Sequence, residues 1–563
     1  MSSRRVLPQT CSKIASFGFS RAPNPLLLEV PVKFFARSIL ILLALYGLVF
    51  AIGDLYLARL GVPVWGAIAF AVVLVFFQYL MGPWFIELVV SIHWDDLYPA
   101  LPARNREFVE KLCAERGLKV PRIGVIASGT PNAFSFGRTP ADSRVVVTQG
   151  LLDVLTVDEA NAVLAHEVGH IEHWDFVVMT VAALAPLLLY QLYAFTRHIS
   201  NLRALAYGAY VCYWIGQFTV LLLNRTREYF ADHYAAEVTH APDALSSALI
   251  KIAYGMVKAD GEYKEALARK TVDGQMRREY RLSGSLGVMG ISNLHSGAAL
   301  ALSGTDPVSA AAVMRWDLVN PWARFYQLNS THPLTAFRVR ALNEQSESSH
   351  QVPQFPLPLD RGVHWSTFPV EFLIWGLPLA TIGLLLFGRW IPEWLAFFGI
   401  AVTLPSYTYP MLLIVSGIGW LIRVAYRYRG TMQDASVLSL LEDTGVSQMR
   451  PRAVRMKGEI VGRGVPGVFW SPDLILRDST GIIFMLYRQS IPLARFLFAI
   501  TEAESFIGQT VEIEGWFRRG LTPYVEMSRL TGEDGSVRRA YSRWVQCAVA
   551  ATAIVVGWIW LRN

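Results

Sequence analysis

Long apolar runs recur along the 563-residue chain and alternate with segments of mixed polarity. A helix needs about 20 mostly apolar residues to cross the hydrocarbon core of a bilayer. The short connection at 59–61 joins the first two runs as a hairpin. The pattern therefore predicts a polytopic membrane protein with spans at 39–57, 62–81, 176–195, 205–223, 368–387 and 544–561.

One further apolar run, 391–424, is longer than a single crossing needs and contains Pro405 and Pro410. Proline removes a backbone donor and kinks a helix, and irregular backbone at membrane depth must be buried in protein. The run is therefore either one kinked span or a re-entrant piece followed by a span. The pattern does not choose between them.

The segments between the apolar runs show helical and strand patterns. Helices are predicted at 105–116 and 157–174, and an interfacial helix leading off the membrane at 83–98. Residues 224–342 are mostly helical in pattern, with a Gly/Ser-rich stretch at 283–304 that we interpret as a mobile insertion. β-Branched residues predict strands, with a Gly/Pro-punctuated connection between them, at 122–127 and 143–148.

The segment 431–536 differs from the rest, because short alternating runs with turns between them replace the helical pattern. Such runs predict the strands of a small β-barrel, in an order that resembles an OB-fold, at 454–461, 474–485, 511–517 and 524–527. An OB-fold can bind oligonucleotides, but it often serves as an interaction scaffold. We favour the scaffold and expect no nucleic-acid partner.

Composition supports a membrane protein that also has soluble portions. Hydrophobic residues make up 53% of the chain and charged residues 17%. The net charge of +7 is explained largely by Lys and Arg at the ends of apolar runs, a pattern typical of positive-inside anchoring rather than nucleic-acid binding. No disulfide framework or cysteine metal site is indicated by the four scattered cysteines, Cys11, Cys113, Cys212 and Cys547.

The first 37 residues are basic and contain a single acid, Glu29. Since the first apolar run begins only after them, a cleaved signal peptide is not predicted. We interpret residues 1–37 as a cytoplasmic basic tail, and an organellar transit segment is the alternative.

The most distinctive motif is His166-Glu167-Val168-Gly169-His170, inside the predicted helix 157–174. Residues four apart share a helix face, so His166 and His170 can reach one zinc ion while Glu167 stands beside it as a general base. This is the arrangement that metal-assisted peptide hydrolysis needs. The alternative is a membrane-entry helix that carries two histidines without a metal.

A zinc site of this type needs a third protein ligand. His173 lies on the same helical face, but three ligands from one straight helix cannot readily surround a metal. Glu228 precedes Asp232 by one helical turn, so the pair could supply one ligand and one acceptor for an imidazole N–H. The alternatives are ordinary ion pairs of this helix face with Arg225 and Arg227, or ligation by His233 or His240.

Four stretches carry a resemblance to a known family: 132–137 (Asn-Ala-Phe-Ser-Phe-Gly), 159–170, 227–232 (Arg-Glu-Tyr-Phe-Ala-Asp) and 330–338 (Ser-Thr-His-Pro-Leu-Thr-Ala-Phe-Arg). Here the chain resembles the HtpX-type membrane zinc metallopeptidases, which also include the CAAX prenyl proteases. The resemblance covers about residues 105–342.

The resemblance implies roles for individual residues. It implies one zinc ion held by His166, His170 and Glu228, with Glu167 as the catalytic carboxylate and Asp232 supporting a ligand. His332 and Arg338 match positions near the reaction centre, and we expect His332 to stabilise the oxyanion. The implied place where substrate backbone pairs with an edge strand is Asn132, Ala133 and Phe134.

Together these features predict a mainly α, polytopic membrane protein with a zincin-like α-rich metallopeptidase domain and a small C-terminal β-barrel. The expected division is a basic tail (1–37), a transmembrane hairpin (38–82), a first metallopeptidase segment (83–174), a second hairpin (175–223), a second metallopeptidase segment (224–345), a transmembrane pair (366–426), the OB-like barrel (431–536) and a C-terminal anchor (543–561).

The expected function is zinc-dependent endopeptidase activity on membrane or membrane-associated polypeptides, in quality control or regulation. A prenyl-protein endoprotease is the alternative within the enzymes. A scaffold acting through the barrel is the alternative outside them, and a channel or transporter is disfavoured because the spans carry few internal charges. We expect a bacterial cytoplasmic membrane with the catalytic domain facing the cytoplasm; an organellar membrane is the alternative.

Overall fold

The computed structural model of the protein describes residues 101–197, 199–253, 307–357, 365–388, 403–463, 473–489, 505–520 and 522–563, together with residue 363 and short stretches within 76–94, 391–395 and 493–503. The basic tail, the predicted hairpin up to residue 75 and the predicted insertion 283–304 lie outside the described residues.

The first folded segment places helices against a four-stranded sheet. Its elements are β1 (His93–Trp94), α1 (Ala103–Arg116), β2 (Arg122–Ile126), β3 (Ala133–Gly137), β4 (Ser143–Thr148), α2 (Gln149–Val154) and α3 (Val157–Glu172). The strand order is β1-β2-β4-β3, with β2 parallel to β4 and β3 antiparallel to it. β3 is therefore an edge strand, with β4 as its one strand neighbour among the described residues.

Helix α3, which carries the His-Glu-x-x-His motif, begins at a capping box. The Thr156 hydroxyl accepts the backbone N–H of Glu159, and the Glu159 carboxylate accepts the backbone N–H of Thr156. Such reciprocal bonds satisfy donors that a helix start leaves unpaired. The same carboxylate also accepts bonds from Ser247 and Lys251, so the start of α3 is fixed to the helical residues 242–253.

Two antiparallel helices follow, α4 (Asp175–Thr196) and α5 (Arg203–Thr239). At 1.5 Å per residue, the 37 residues of α5 extend about 55 Å, well beyond the roughly 30 Å of a bilayer core. The sequence predicted a span at 205–223 followed by a separate helical segment. In the structure the predicted span and the first part of the following helical segment belong to one continuous helix, whose second half packs into the folded segment.

The remaining elements in chain order are α6 (Pro307–Val319), α7 (Pro321–Gln327), α8 (Thr335–Ser348), α9 (Phe368–Phe387), α10 (Thr408–Arg427), β5 (Gln433–Asp434), α11 (Val437–Leu441), β6 (Arg452–Arg463), β7 (Leu474–Arg477), β8 (Ile482–Leu486), β9 (Thr510–Arg518), β10 (Tyr524–Thr531), β11 (Val537–Arg539) and α12 (Ser542–Arg562). Short 3₁₀ turns lie at Pro140–Asp142, Ser200–Leu202 and Trp365–Thr367.

Five helices among the described residues are long and apolar enough to cross a membrane, which supports the predicted multi-pass protein. They are Asp175–Ala194, Arg203–Thr239, Trp365–Leu386, Thr408–Arg427 and Ser542–Arg562.

Helices α9, α10 and α12 form an antiparallel group. Arg423 of α10 donates to the carbonyl of Trp375 in α9. Gly417 of α10 lies so close to α12 that an added Cβ would be 2.7 Å from the carbonyl of Ala550. α9 and α10 therefore run in opposite directions, and α10 is the part of the apolar run 391–424 that is long and apolar enough to cross a membrane.

The segment after α10 folds into the predicted small β-barrel. Five strands close in the order β6-β7-β8-β10-β9, and β9 pairs back onto β6. β8 and β10 are parallel, whereas the other neighbouring pairs of the ring are antiparallel. β5 and β11 extend the sheet beyond this ring through β6 and β10. The barrel encloses its own apolar core, which includes Val454, Leu476, Ile513 and Val525.

Candidate metal centre

The two motif histidines face each other from successive turns of α3. Their Nε2 atoms are 3.1 Å apart. His166 is completely buried, and the His170 side chain is 15% exposed. The four-residue spacing therefore produces the shared helix face that the sequence predicted.

Glu228 of α5 completes a group of three. Its Oε2 lies 3.7 Å from Nε2 of His166, and its Oε1 lies 3.7 Å from Nε2 of His170. A tetrahedral zinc ion with bonds of about 2.0–2.1 Å needs ligand atoms about 3.3 Å apart. The two 3.7 Å distances involve different oxygens of Glu228, but one ligand atom from each of the three residues can be chosen so that all lie within 4.8 Å of one another, so this group could hold such an ion. Within the described part of the chain, no other group of three or more His, Cys, Asp or Glu side chains meets the same criterion.

The close approach of α3 and α5 brings these ligand atoms together. Gly169 lies between the two histidines and against α5. A Cβ atom at this position would lie 2.9 Å from the ring of Tyr234. A side chain at residue 169 would therefore push apart the two helices that carry His170 and Glu228.

Each histidine has a carboxylate beside its other ring nitrogen. Nδ1 of His166 lies 3.0 Å from Oδ1 of Asp232, and Nδ1 of His170 lies 2.6 Å from Oδ2 of Asp175. A carboxylate at Nδ1 favours the tautomer whose Nε2 can bind a metal, and it fixes the ring orientation. Both rings are thus turned with Nε2 toward Glu228.

Each of these carboxylates is in turn paired with a buried arginine. Arg338 of α8 donates to both oxygens of Asp232, at 2.8 and 2.6 Å, and lies 3.4 Å from Glu228. Burial alone would lower the pKa of Arg338, but the Asp232 carboxylate raises it above its usual value. On the other side, Arg227 donates to Asp175. Asp232 and Asp175 are therefore each paired with a buried cation.

His332 lies on the connection between α7 and α8, and its Nδ1 is 3.1 Å from Oε2 of Glu228. Both ring nitrogens are buried, and neither has a well-aligned hydrogen-bond partner within the described part of the chain. The ring therefore adjoins Glu228 and has one nitrogen available for another group.

Three of the histidines considered from sequence lie away from this group. His173 contacts the carbonyl of Gly169 through Nδ1 at 2.7 Å and packs against Phe230, and burial lowers its pKa to about 4. His233 contacts the side chain of Gln345 at 3.2 Å. His240 is exposed at the end of α5.

Asn132, Ala133 and Phe134 lie at and just before the start of edge strand β3, where the sequence predicted substrate pairing. The side chain of Asn132 accepts the backbone N–H of Ala133 at 2.9 Å, and its backbone bonds to Thr148 of β4. Phe134 is buried against the helical stretch before β1. The start of the edge strand is therefore held by hydrogen bonds to β4 and by the packing of Phe134.

Glu167 follows His166 on α3 and is buried, with 2% of its surface exposed. The sequence did not identify Asp175 and Arg227 as belonging to this site. Asp175 reads as the polar first residue of a span, and Arg227 reads as an ordinary helix-surface cation. The sequence signal that could have identified Asp175 is its position, five residues after His170.

Comparison with known proteins agrees with this geometry. Residues 100–346 match the model of peptidase family M48. The Protease HtpX homolog of Methanothermobacter thermautotrophicus is 37% identical over 229 residues, which are 40% of this chain and 86% of that relative. The Protease HtpX homolog of Pyrococcus furiosus is 32% identical over 239 residues, which are 39% of this chain and 79% of that relative.

A solved structure, Ste24p of S. mikatae, is 17% identical and covers 56% of this chain and 67% of its own length. Its TM-score of 0.32 is too low to support a comparison of overall folds.

Buried histidines on α3 and a carboxylate on α5, a helix long and apolar enough to cross a membrane, together with these matches, define a membrane metallopeptidase. The chain belongs to peptidase family M48, as its resemblance to the HtpX-type proteins predicted.

Proposed function

We propose that this protein is a zinc-dependent endopeptidase that cleaves membrane or membrane-associated polypeptides. The observation that carries the proposal is the group of His166, His170 and Glu228. One ligand atom from each of these residues lies within 4.8 Å of the other two, and a carboxylate oxygen lies within 3.0 Å of each ring Nδ1. Such a group, with an acid beside the first histidine, is the donor set of hydrolytic zinc sites.

His166, His170 and Glu228 would hold one zinc ion. When bound, zinc would polarise the scissile carbonyl and lower the pKa of a water molecule. Glu167 would take the proton from the attacking water and later transfer it to the leaving amine. His332 would donate from Nε2 to the oxyanion of the substrate, an interaction that is stronger in the transition state than with the bound peptide.

Asp232 and Arg338 support this chemistry without touching substrate. Asp232 would hold the ring of His166, and Arg338 would keep Asp232 and Glu228 ionised inside the protein. The bidentate contact between Arg338 and Asp232 supports this assignment.

The substrate would bind as an added strand along β3. Its backbone would pair with the edge at Asn132, Ala133 and Phe134, a mode in which main-chain hydrogen bonds give affinity and pockets give specificity. The position of β3 at the edge of its sheet supports this mode.

The position of the site relative to the membrane supports membrane-associated substrates. Asp175, which contacts His170, is the first residue of a helix that can cross a bilayer. The headgroup region is only about 5–7 Å thick on each side of the bilayer. The metal centre would therefore lie near the membrane surface, within reach of segments that emerge from a substrate's spans. Misfolded or regulatory membrane proteins fit this position.

We further propose that the protein spans the inner membrane of a bacterial cell and that its catalytic domain and barrel both lie on the cytoplasmic side. The antiparallel order of α9, α10 and α12 supports a common side for both, with the C-terminus on the other side. The basic residues at the end of α10, Arg423, Arg427 and Arg429, support the cytoplasm as that side.

The barrel is proposed to be of the OB type and to act as an interaction scaffold. Its closed order β6-β7-β8-β10-β9, with β8 parallel to β10, supports that assignment. We propose that the whole chain has the domain division expected from its sequence, which runs from the basic tail at 1–37 to the anchor at 543–561.

The test is to purify the wild-type protein and a Glu167→Gln variant, measure zinc content, and incubate both with membrane proteins. We expect stoichiometric zinc in both and cleavage by the wild type alone. Substrates retained by the variant, identified by mass spectrometry, would name the natural targets. A wild-type protein without zinc would refute the proposal. Retention of prenylated C-terminal peptides alone would favour the prenyl-protein endoprotease.

A further inference from the structure

The β-barrel lies outside the family match but contacts the metallopeptidase domain through buried polar bonds. The contacts come from residues 443–450, which connect α11 to β6 and which we call the docking loop. They also come from Arg519, directly after β9. Both contact α6, and the docking loop also contacts Asn320 between α6 and α7, the two helices that precede His332 in the chain.

The docking loop holds the junction between α6 and α7. Trp316 of α6 donates from Nε1 to the carbonyl of Val446 at 2.6 Å. Asn320, between the helices, donates to the carbonyls of Thr444 and Val446, both at 3.1 Å. The same Asn320 side chain accepts the backbone N–H of Trp322 and so caps the start of α7. One side chain therefore links the docking loop to the beginning of α7.

Arg519 forms a second link between barrel and metallopeptidase. It is completely buried and donates to the carbonyl of Val313 in α6 at 2.7 Å and to the carbonyl of Leu441 in α11. Its guanidinium also lies over the ring of Trp316, 5.0 Å from the centroid. A buried guanidinium that loses its acceptors is costly, so α6 and the barrel are held in one relative position.

The membrane helix α9 joins the same contact. Glu371 is 1% exposed and accepts bonds from Trp322 of α7 and from Ser447 of the docking loop, both at 2.7 Å. Arg450 of the docking loop lies 3.2 Å from the same carboxylate. Helix α7 is thus fixed between the barrel and a membrane span.

Residues 328–334, which we call the His332 loop, begin where α7 ends. Arg225 of α5 donates to the carbonyls of Gln327 and Ser330, both at 2.8 Å, and Asn224 donates to that of Thr331. The first half of the loop therefore continues from the end of α7 and is bonded there to the helix that carries Glu228. A shift of α7 would move His332 relative to Glu228.

We infer that the β-barrel positions His332, with Arg519 as a positioning residue that acts through α6, α7 and the His332 loop. This inference rests on the proposed role of His332 in peptide hydrolysis. It assigns the barrel a role in turnover besides any scaffold role. Arg519 itself does not touch substrate.

The first test compares turnover in the full-length protein. Arg519→Met removes the donors while keeping an extended apolar side chain. A displacement near 1 Å at a reacting centre can cost about 100-fold, so kcat should fall by about 10- to 100-fold, with KM and zinc content unchanged. Arg519→Lys, which keeps one donor to a carbonyl, should recover some of the loss. Arg455→Met serves as the matched control, because Arg455 is a half-exposed arginine of the same barrel.

The decisive measurement is a double-variant cycle with His332→Ala. If Arg519 acts through His332, Arg519→Met should change kcat by less than about twofold once His332 is absent. An equal loss of kcat with and without His332 would overturn the inference. Trp316→Phe, which removes only the indole donor to Val446, gives a second cycle if Arg519→Met does not fold.

A third measurement does not depend on activity. In metal-free protein, Arg519→Met should increase amide hydrogen exchange in the His332 loop, whereas Arg455→Met should not. Unchanged exchange would overturn the inference even if turnover falls. If the wild-type protein shows no zinc-dependent proteolysis, the proposed function fails, and the exchange result still decides whether the barrel holds the loop.

Discussion

Asp175→Asn tests the carboxylate that the sequence did not identify. Asn has nearly the same size as Asp but no charge. The change removes the anion beside Nδ1 of His170, at 2.6 Å, and leaves Arg227, which is 5% exposed, without its charged partner. If Asp175 orients and polarises His170 as a ligand, the variant should bind zinc more weakly. The three proposed ligands all remain in place.

The expected loss of zinc affinity and of folding stability follows from the typical contribution of a carboxylate beside a metal-binding histidine. Loss of an acceptor beside a metal-binding histidine typically lowers metal affinity by about 10- to 100-fold, or about 1.4–2.7 kcal/mol. Breaking a buried ion pair costs about 3–5 kcal/mol of folding stability. We expect the lower end of this stability range for Asp175→Asn, because Arg227 still donates to the carbonyl of His173 at 2.9 Å. We therefore expect weaker zinc binding and a loss of about 3 kcal/mol in the metal-free protein.

The assay is competition for zinc between the purified protein and a chelator of known affinity, together with thermal unfolding of the metal-free protein. Asp153→Asn is the matched control, because Asp153 is a carboxylate on α2 whose contact with Gln149 is exposed. It should leave both quantities unchanged. A folded Asp175→Asn protein whose zinc affinity stays within twofold of wild type would refute the role given to Asp175.

Three further predictions rest on the same contacts. Glu228→Ala should lose most of its zinc, measured by elemental analysis, because the change removes a ligand. Glu167→Gln should keep its zinc and lose proteolysis. Full zinc content in Glu228→Ala would show that another residue is the third ligand. His332→Ala should keep zinc and KM but lower kcat by about 10²–10³, as loss of an oxyanion donor does, and an unchanged kcat would assign His332 a structural role. Burial opposes ionisation of Glu159, but Lys251 and Ser247 lower its pKa below the ordinary value, so the charged form stabilises the fold above about pH 4.5 and that contribution is lost as the pH falls through the lowered pKa. Glu159→Gln should therefore lower stability at pH 7 by about 1.5 kcal/mol in denaturant unfolding, and the difference should shrink as the pH falls through the lowered pKa; a difference that does not shrink in acid would contradict the ion-pair explanation.

The features of the site that could be predicted from sequence depend on local spacing. His166 and His170 are four residues apart, and so are Glu228 and Asp232. Helical geometry places each pair on one face whatever the rest of the chain does. The spans and the alternating barrel strands are equally local patterns, which is why they were predicted with approximate bounds.

The features that could not be predicted depend on a break in a helix or on distant contacts. Trp174 adopts a left-handed conformation with φ of 59°, which turns the chain between α3 and α4 and brings Asp175 back to His170. No periodicity extends across such a turn. The contacts of the docking loop with α6 join residues more than 120 positions apart. Sequence patterns report which face of an element is apolar, but not which distant backbone carbonyl a buried Asn320 or Arg519 will reach.

The candidate metal centre and the candidate membrane helices share residues. Asp175 begins α4, and Glu228 lies on α5 just beyond the apolar stretch. α4 and α5 pack along each other as an antiparallel pair, with Ala182 and Ala185 of α4 buried in one cluster with Leu223 of α5. Any change in that packing would shift a proposed ligand and the partner of a histidine together. A soluble fragment without α4 and the first half of α5 would therefore lose the contacts that place Glu228 opposite His170.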